Sequence, residues 1–180
     1  MSASDVSTSK RLSLVLRHRP DSIGLRLDAH GWVDVPALLD ALARHGTPVS
    51  RDELDRVVET NDKQRFEWDL QSDRIRARQG HSVEVDLELE AATPPPRLFH
   101  GTPLRNLDSI LATGLDRRRR HHVHLSSDVM TAHTVGARRG EHAVLCVDAA
   151  AMVAAGHTFW LTSNGVWLTG DVPPGYLSSL

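Results

Sequence analysis

Three consecutive prolines, Pro94, Pro95 and Pro96, sit near the middle of the chain. Proline fixes φ and carries no backbone N–H, so neither a helix nor an internal strand runs through such a triplet. It reads as a stiff, extended connector, and it divides 180 residues into two pieces that each need a core of their own. The boundary is expected at about 80–96, with one domain over 1–85, a linker over about 86–95 and a second domain over 96–180. Hydrophobic residues make up 40% of the chain, a little below the usual share but enough to fill two small cores.

The first half reads as helix, short strand, two helices and a hairpin. In RLSLVLRHRP, Leu12, Leu14, Val15 and Leu16 make an apolar helical stripe that stops at Pro20, because a proline disfavours the helical region for the residue before it. IGLRLDAHGWV then alternates briefly and turns at His30-Gly31. Asp34 is expected to cap a helix with Pro36 in its first turn, ending at Gly46, and Ser50 with Glu53 to form a reciprocal capping box before ELDRVVETND. Phe66, Trp68 and Leu70 alternate with polar residues, QSD turns, and RIRAR returns as the partner strand. Three helices followed by a two-stranded wing make a winged-helix arrangement, a fold that serves nucleic-acid binders and protein-interaction modules alike. VEVDLELE, residues 83–90, has the alternation of an exposed strand.

The second half has short strands with interspersed helices, so the fold class is α+β. RLFHGT, HVHLS and HAVLCVDA read as strands, LRNLDSILATG and DVMTAHTVGARRG as helices, and FWLTSNGVWLT as a hairpin turned at Asn164-Gly165. Trp32 and Trp68 are assigned to the first core; Trp160 and Trp167 are expected to pack in the hairpin, with ring stacking on a ligand as the other reading. The one cysteine, Cys146, lies in the apolar run and is expected to be a buried strand residue. A single cysteine excludes an intrachain disulfide and fits a reducing, cytoplasmic setting. MSASDVSTS lacks the apolar stretch of a secretory signal, and no segment approaches the roughly 20 apolar residues of a membrane helix. A net charge of −2 argues against nonspecific coating of nucleic acid while leaving room for a small cationic pocket.

Arginine and histidine recur at element ends: Arg17-His18, Arg65, His100 and Arg120. Basic residues in a last helical turn complement the helix dipole, and DRRRRHH has the look of an exposed turn. The same residues are also what a phosphate site requires, since the planar guanidinium donates two parallel hydrogen bonds and an imidazole can carry a proton. His122 and His124 make only half of a metal site, with no C-x-x-C or H-E-x-x-H beside them, so no metal is expected. G-x-G-x-x-G, G-x-x-x-x-G-K and G-x-S-x-G are all missing, which leaves Rossmann, P-loop and serine-hydrolase readings without support.

Seven ordered segments, LSLVLRHRP, GWVDVPALL, NDKQRFE, LFHGT, RHHVHLSSD, VGARRG and NGVWLTGDVPPGYL, resemble the RNA 2′-phosphotransferase family from about residue 9 onward. The resemblance implies a winged-helix RNA-binding lobe followed by an ADP-ribosyltransferase-like lobe, with NAD as co-substrate. It implies a two-step reaction. The internal 2′-phosphate of a tRNA-like RNA attacks the anomeric carbon of NAD and expels nicotinamide. The ribose 2″-hydroxyl then attacks phosphorus, leaving 2′-OH RNA and ADP-ribose 1″-2″-cyclic phosphate. The family tetrad Arg-His-Arg-Arg falls on Arg17, His18, Arg65 and Arg120, and the NAD-binding positions on His100, Gly101, Thr102, His124, Ser126 and Arg138.

Three arginines offset the repulsion between a phosphate dianion and the NAD pyrophosphate, and they act most strongly as charge builds on pentavalent phosphorus. His18 either moves a proton in the second step or only positions the phosphate or ribose. Arg138 either touches the pyrophosphate or, with Arg139, closes a solvated helix end. Departures from the family pattern are Trp160 in place of a common Tyr, Arg139 in place of a frequent His, and Val166 where many ADP-ribosyltransferases carry a glutamate. A phosphate nucleophile is already ionised and needs no such base. The alternatives are an ADP-ribosyltransferase that caps terminal phosphates of RNA or DNA, and a non-catalytic winged-helix binding module. A cytoplasmic monomer without membrane contact is expected.

Overall fold

The structure, a computed structural model, describes residues 2–61 and 63–180, with side chains for all of these but Arg139. It is a mixed helix-and-sheet protein. It separates into two units, Met1–Glu88 and Leu89–Leu180.

In the first unit, helix α1 spans Ala3–Arg17. It opens with a capping box the sequence reading missed: the Ser2 hydroxyl accepts from the Asp5 N–H and the Asp5 carboxylate accepts from the Ser2 N–H. Leu12, Val15 and Leu16 face the core, fully buried. The helix ends where Pro20 requires, and the N–H groups of His18 and Arg19 both return to the Leu14 carbonyl. The next residues, Pro20–Ile23, form a 3-10 turn, and IGLRLDAHGWV, residues 23–33, is in a strand only at its last residue, Val33. Gly24, at φ +65°, supplies the left-handed turn out of the 3-10 segment. Helices α2, Val35–Arg44, and α3, Arg51–Glu59, follow.

Their caps depart from expectation in one way each. Asp34 occupies the cap of α2, but its carboxylate accepts no helix N–H and lies 3.5 Å from Arg74 instead. The Ser50 hydroxyl does accept from the Glu53 N–H at 3.1 Å. Glu53, however, does not reach back to Ser50; its carboxylate accepts from the Thr8 hydroxyl of α1 at 2.7 Å. In both cases a long-range partner takes the side chain away from the local one.

Strands β1, Val33–Asp34, β2, Phe66–Asp69, and β3, Arg74–Ala77, form an antiparallel sheet in the order β1-β3-β2. Phe66 and Ile75 of this sheet share one buried core with Leu38 and Leu42 of α2 and Leu54 of α3. Each such buried side chain contributes about 1.5–3 kcal/mol. Trp68 packs at the edge of this core, half-buried, with Arg51 5.2 Å from its ring centroid. Trp32 is not a core residue: it is half-buried beneath the Arg76 guanidinium at 4.5 Å. Residues 84–90 form no strand, because no partner strand lies beside them. The start of this stretch is bonded piecemeal, Val83 N–H to the Arg17 carbonyl and Asp86 N–H to the Ala29 carbonyl.

In the second unit, β4, Arg97–Pro103, pairs with β6, His142–Asp148, which pairs with β9, Leu177–Ser179. A second sheet joins β5, Val123–Leu125, to β8, Trp167–Thr169, and β8 to β7, Phe159–Leu161. Every pair is antiparallel. The sheets meet where Phe99 and Ser126 exchange two backbone hydrogen bonds of 2.8 Å. Helices α4, Leu107–Thr113, α5, Val129–Gly136, and α6, Ala149–Ala154, complete the unit. Helix α6, capped by the Asp148 carboxylate accepting from the Ala151 N–H, and β9 were not anticipated from the sequence. The hairpin forms with Gly165 at φ +78°, and its turn runs from Leu161 to Trp167, longer than an Asn-Gly dipeptide alone requires. Trp167 and Cys146 are both buried. Among the described residues, no helix is long and apolar enough to cross a membrane.

Candidate functional site

In the first unit the tip of α1 is tied to two distant segments. Arg17 donates from Nη2 to the Arg65 carbonyl at 3.3 Å. Its own carbonyl, left over at the helix end, accepts from the N–H groups of Ser82 at 2.9 Å and Val83 at 3.3 Å. His18 Nδ1 lies 3.0 Å from the Ser82 hydroxyl. Arg65, just before β2, donates from Nη1 to Asn61 Oδ1 at 3.0 Å. Asn61 is 2% exposed, and its amide donates in turn to the Ser9 hydroxyl of α1 at 2.9 Å.

Arg17, His18 and Arg65, expected as site residues from the sequence, are thus brought together, all three half-buried. The acceptors named for the two guanidinium groups are a carbonyl and an amide oxygen, which fix their orientation. Asn61 and Ser82 are the residues the sequence reading missed. Asn61 stands inside the NDKQRFE segment, so a signal for it existed; nothing around Ser82 marked it.

Arg120 belongs to the second unit, in an exposed turn before β5. His100, on β4, donates from Nδ1 to the His124 carbonyl at 3.0 Å, since a carbonyl can only accept. That leaves the lone pair on Nε2. Desolvation holds the His100 imidazole below the usual histidine range; the nearby Arg120 charge works in the same direction and the His124 carbonyl against it. His100 is therefore a neutral imidazole at pH 7, able to accept a hydrogen bond from a hydroxyl. His124 places Nδ1 3.1 Å from the His122 carbonyl.

The remaining expected positions are placed as follows. A Cβ at Gly101 would lie 1.9 Å from the Ala132 carbonyl oxygen, so only glycine lets α5 press onto β4. Thr102 is 3% exposed. Both have a packing role as they stand. Ser126 is held in the bridge to Phe99, half-buried. Arg138 is exposed in the 3-10 turn that follows α5, and the Arg139 side chain lies outside the described residues. Val166 closes the hairpin turn, its N–H donating to the Thr162 hydroxyl at 3.0 Å. The His122 ring packs 4.8 Å from the ring of Trp160. Burial is the chief cause that lowers its pKa, with His121 and Arg117 adding to it. Among the described residues, no three His, Cys, Asp or Glu side chains cluster to hold a metal ion.

Comparison with known proteins adds to this geometry. The sequence pattern described as RNA 2′-phosphotransferase, Tpt1 / KptA family, matches residues 3–171. A protein of Nostoc punctiforme named probable RNA 2′-phosphotransferase is 53% identical over 175 residues, covering 97% of each chain. Its namesake from Streptomyces coelicolor is 56% identical over 172 residues, 96% of this chain and 93% of the other. A third, from Pseudomonas fluorescens, is 52% identical over 174 residues, 96% of each. With a pattern match over residues 3–171 and relatives this similar, the chain belongs to the RNA 2′-phosphotransferase, Tpt1 / KptA family.

Proposed function

We propose that the protein is an NAD-dependent RNA 2′-phosphotransferase that converts an internal RNA 2′-phosphate to a 2′-hydroxyl in two steps. On this reading the first unit is a winged-helix RNA-binding lobe and the second an ADP-ribosyltransferase-like lobe. The observation that carries the reading is the cluster at the tip of α1, where Arg17, His18 and Arg65 come together. A fixed cluster of cations with one imidazole suits a phosphate dianion, and suits the greater charge of its transition state better still.

NAD supplies an electrophilic anomeric carbon with nicotinamide as its leaving group. The second unit has groups that fit it: a neutral His100 whose Nε2 accepts from a ribose hydroxyl, with His124 and Ser126 close by and Arg138 for pyrophosphate oxygens. Arg17, Arg65 and Arg120 hold the RNA phosphate, and His18 moves the proton in the second step, in which ADP-ribose 1″-2″-cyclic phosphate leaves. Binding should be modest and salt-dependent and should centre on the 2′-phosphate, a group that DNA cannot present at an internal sugar.

The test is a short RNA with one internal 2′-phosphate, incubated with and without NAD and resolved on a gel. NAD-dependent conversion to 2′-OH RNA with release of the cyclic phosphate is the expected result. Persistent ADP-ribosylated RNA would instead identify a capping transferase, and unchanged RNA under all conditions a binding module.

A further inference from the structure

We infer that Ser82 is a positioning residue for His18, setting which imidazole nitrogen faces the reacting phosphate. The inference rests on the reading of His18 as the proton carrier of the second step.

The placement is made by the main chain. Ser82 and Val83 donate their N–H groups to the Arg17 carbonyl, so the segment after β3 is fastened to the end of α1 one residue before His18. The Ser82 hydroxyl thereby comes to 3.0 Å from His18 Nδ1. Because the fastening uses backbone groups, the hydroxyl itself is left for orientation. Ser82 is exposed, so its removal opens no cavity.

The type of residue matters. Catalytic histidines are commonly oriented by a carboxylate on the far nitrogen, but a carboxylate beside this cluster would repel an incoming phosphate dianion. A hydroxyl carries no charge and can accept as well as donate. When Nδ1–H donates to the Ser82 oxygen, the lone pair sits on Nε2.

In the second step the ribose 2″-oxygen forms a bond to phosphorus. The bond from phosphorus to the RNA 2′-oxygen breaks, and its electron pair stays on that oxygen. Nε2 takes the proton from the 2″-hydroxyl, giving an imidazolium whose Nδ1–H remains on Ser82, and then gives it to the RNA 2′-oxygen. His18 ends neutral, in the tautomer in which it began. The first step, in which an ionised phosphate attacks and nicotinamide leaves, involves no such transfer.

The experiment compares wild type, S82A, S82T, H18A and the S82A/H18A double variant. A single-turnover gel with 2′-phosphorylated RNA and NAD resolves substrate, ADP-ribosylated intermediate and 2′-OH product. Loss of one orienting hydrogen bond should slow the second step of S82A about fivefold. Intermediate should build up, with the first step unchanged. S82T, which keeps the hydroxyl, should restore the rate, and S82A should add nothing to H18A. Without RNA or NAD, a 15N–1H correlation spectrum of the His18 ring should show Nδ1 protonated in wild type and S82T, and a shift toward Nε2 protonation in S82A.

An active wild type with S82A equal to it in the second step, or with both steps slowed alike, overturns the inference alone. So does a His18 ring spectrum that S82A leaves unaltered. A wild type that leaves the RNA unchanged overturns the proposed function and takes the inference with it.

Discussion

The two units hold their central histidines in opposite ways. His18 stands half-buried at a helix tip, against a hydroxyl that can donate or accept, with Arg17 as its neighbour in sequence and Arg65 bonded to that neighbour. His100 lies along a strand, its Nδ1 committed to a carbonyl and its charge suppressed by desolvation and by Arg120. The first setting gathers an imidazole and two guanidinium groups at one helix end. The second keeps one tautomer, neutral at pH 7. On the proposed reading His18 moves a proton and His100 only recognises a hydroxyl, two tasks that suit these different surroundings.

The sharpest way to break that comparison is to separate activity from stability. Arg17→Ala should lower the rate of 2′-phosphate removal by about 10²–10³-fold, the cost of losing one fixed transition-state donor. Its unfolding midpoint should move little. A loss below tenfold in single-turnover assays would remove Arg17 from the machinery. Gly101→Ala should do the reverse on the strand side. A Cβ at 1.9 Å from a backbone oxygen forces α5 off β4, with an expected loss of about 3 kcal/mol in urea denaturation. Unchanged stability would mean that the helix can shift freely.

The histidines should also differ in pH dependence. The folded-state pKa of His100 lies below its unfolded value of 6.5, so the unfolded chain takes up this proton first as pH falls. Its contribution to stability is complete above about pH 6.5 and is lost on acidification toward the folded value. His100→Asn, which keeps a donor for the His124 carbonyl but does not titrate, should flatten that part of the stability profile. An identical profile in the variant would refute the assignment.

The smallest expected difference lies between two helix caps. Ser50→Ala should cost about 1 kcal/mol, because a hydrogen bond to the Glu53 N–H is lost. Asp34→Ala should cost about 0.5 kcal/mol or less, since only a partly exposed ion pair with Arg74 is removed. Equal losses in parallel thermal melts would show that Asp34 caps after all.

Much of the local structure was legible in the sequence. Pro20 ends α1, Ser50 starts α3, and the alternation of Phe66 and Trp68 becomes β2, because each depends on residues within a few positions of one another. Arg17, His18 and Arg65 were visible as an ordered family pattern, and the same pattern contained Asn61 unread. What failed, failed through competition. Glu53 was expected to close a box and went to Thr8, Asp34 was expected to cap and went to Arg74, and VEVDLELE alternated like a strand without a strand to pair with.

By itself, then, the sequence determined where helices begin and end, which faces turn inward, and which residue types gather at the element ends. Only the tertiary structure decided the partnerships: Arg17 with the carbonyl of Arg65, His18 with Ser82, Gly101 with the backbone of Ala132. The reason is distance along the chain. A cap or a turn is settled by neighbours that are always within reach. A bond across tens of residues exists only once two elements have packed, and the packed state ranks every competing partner at once.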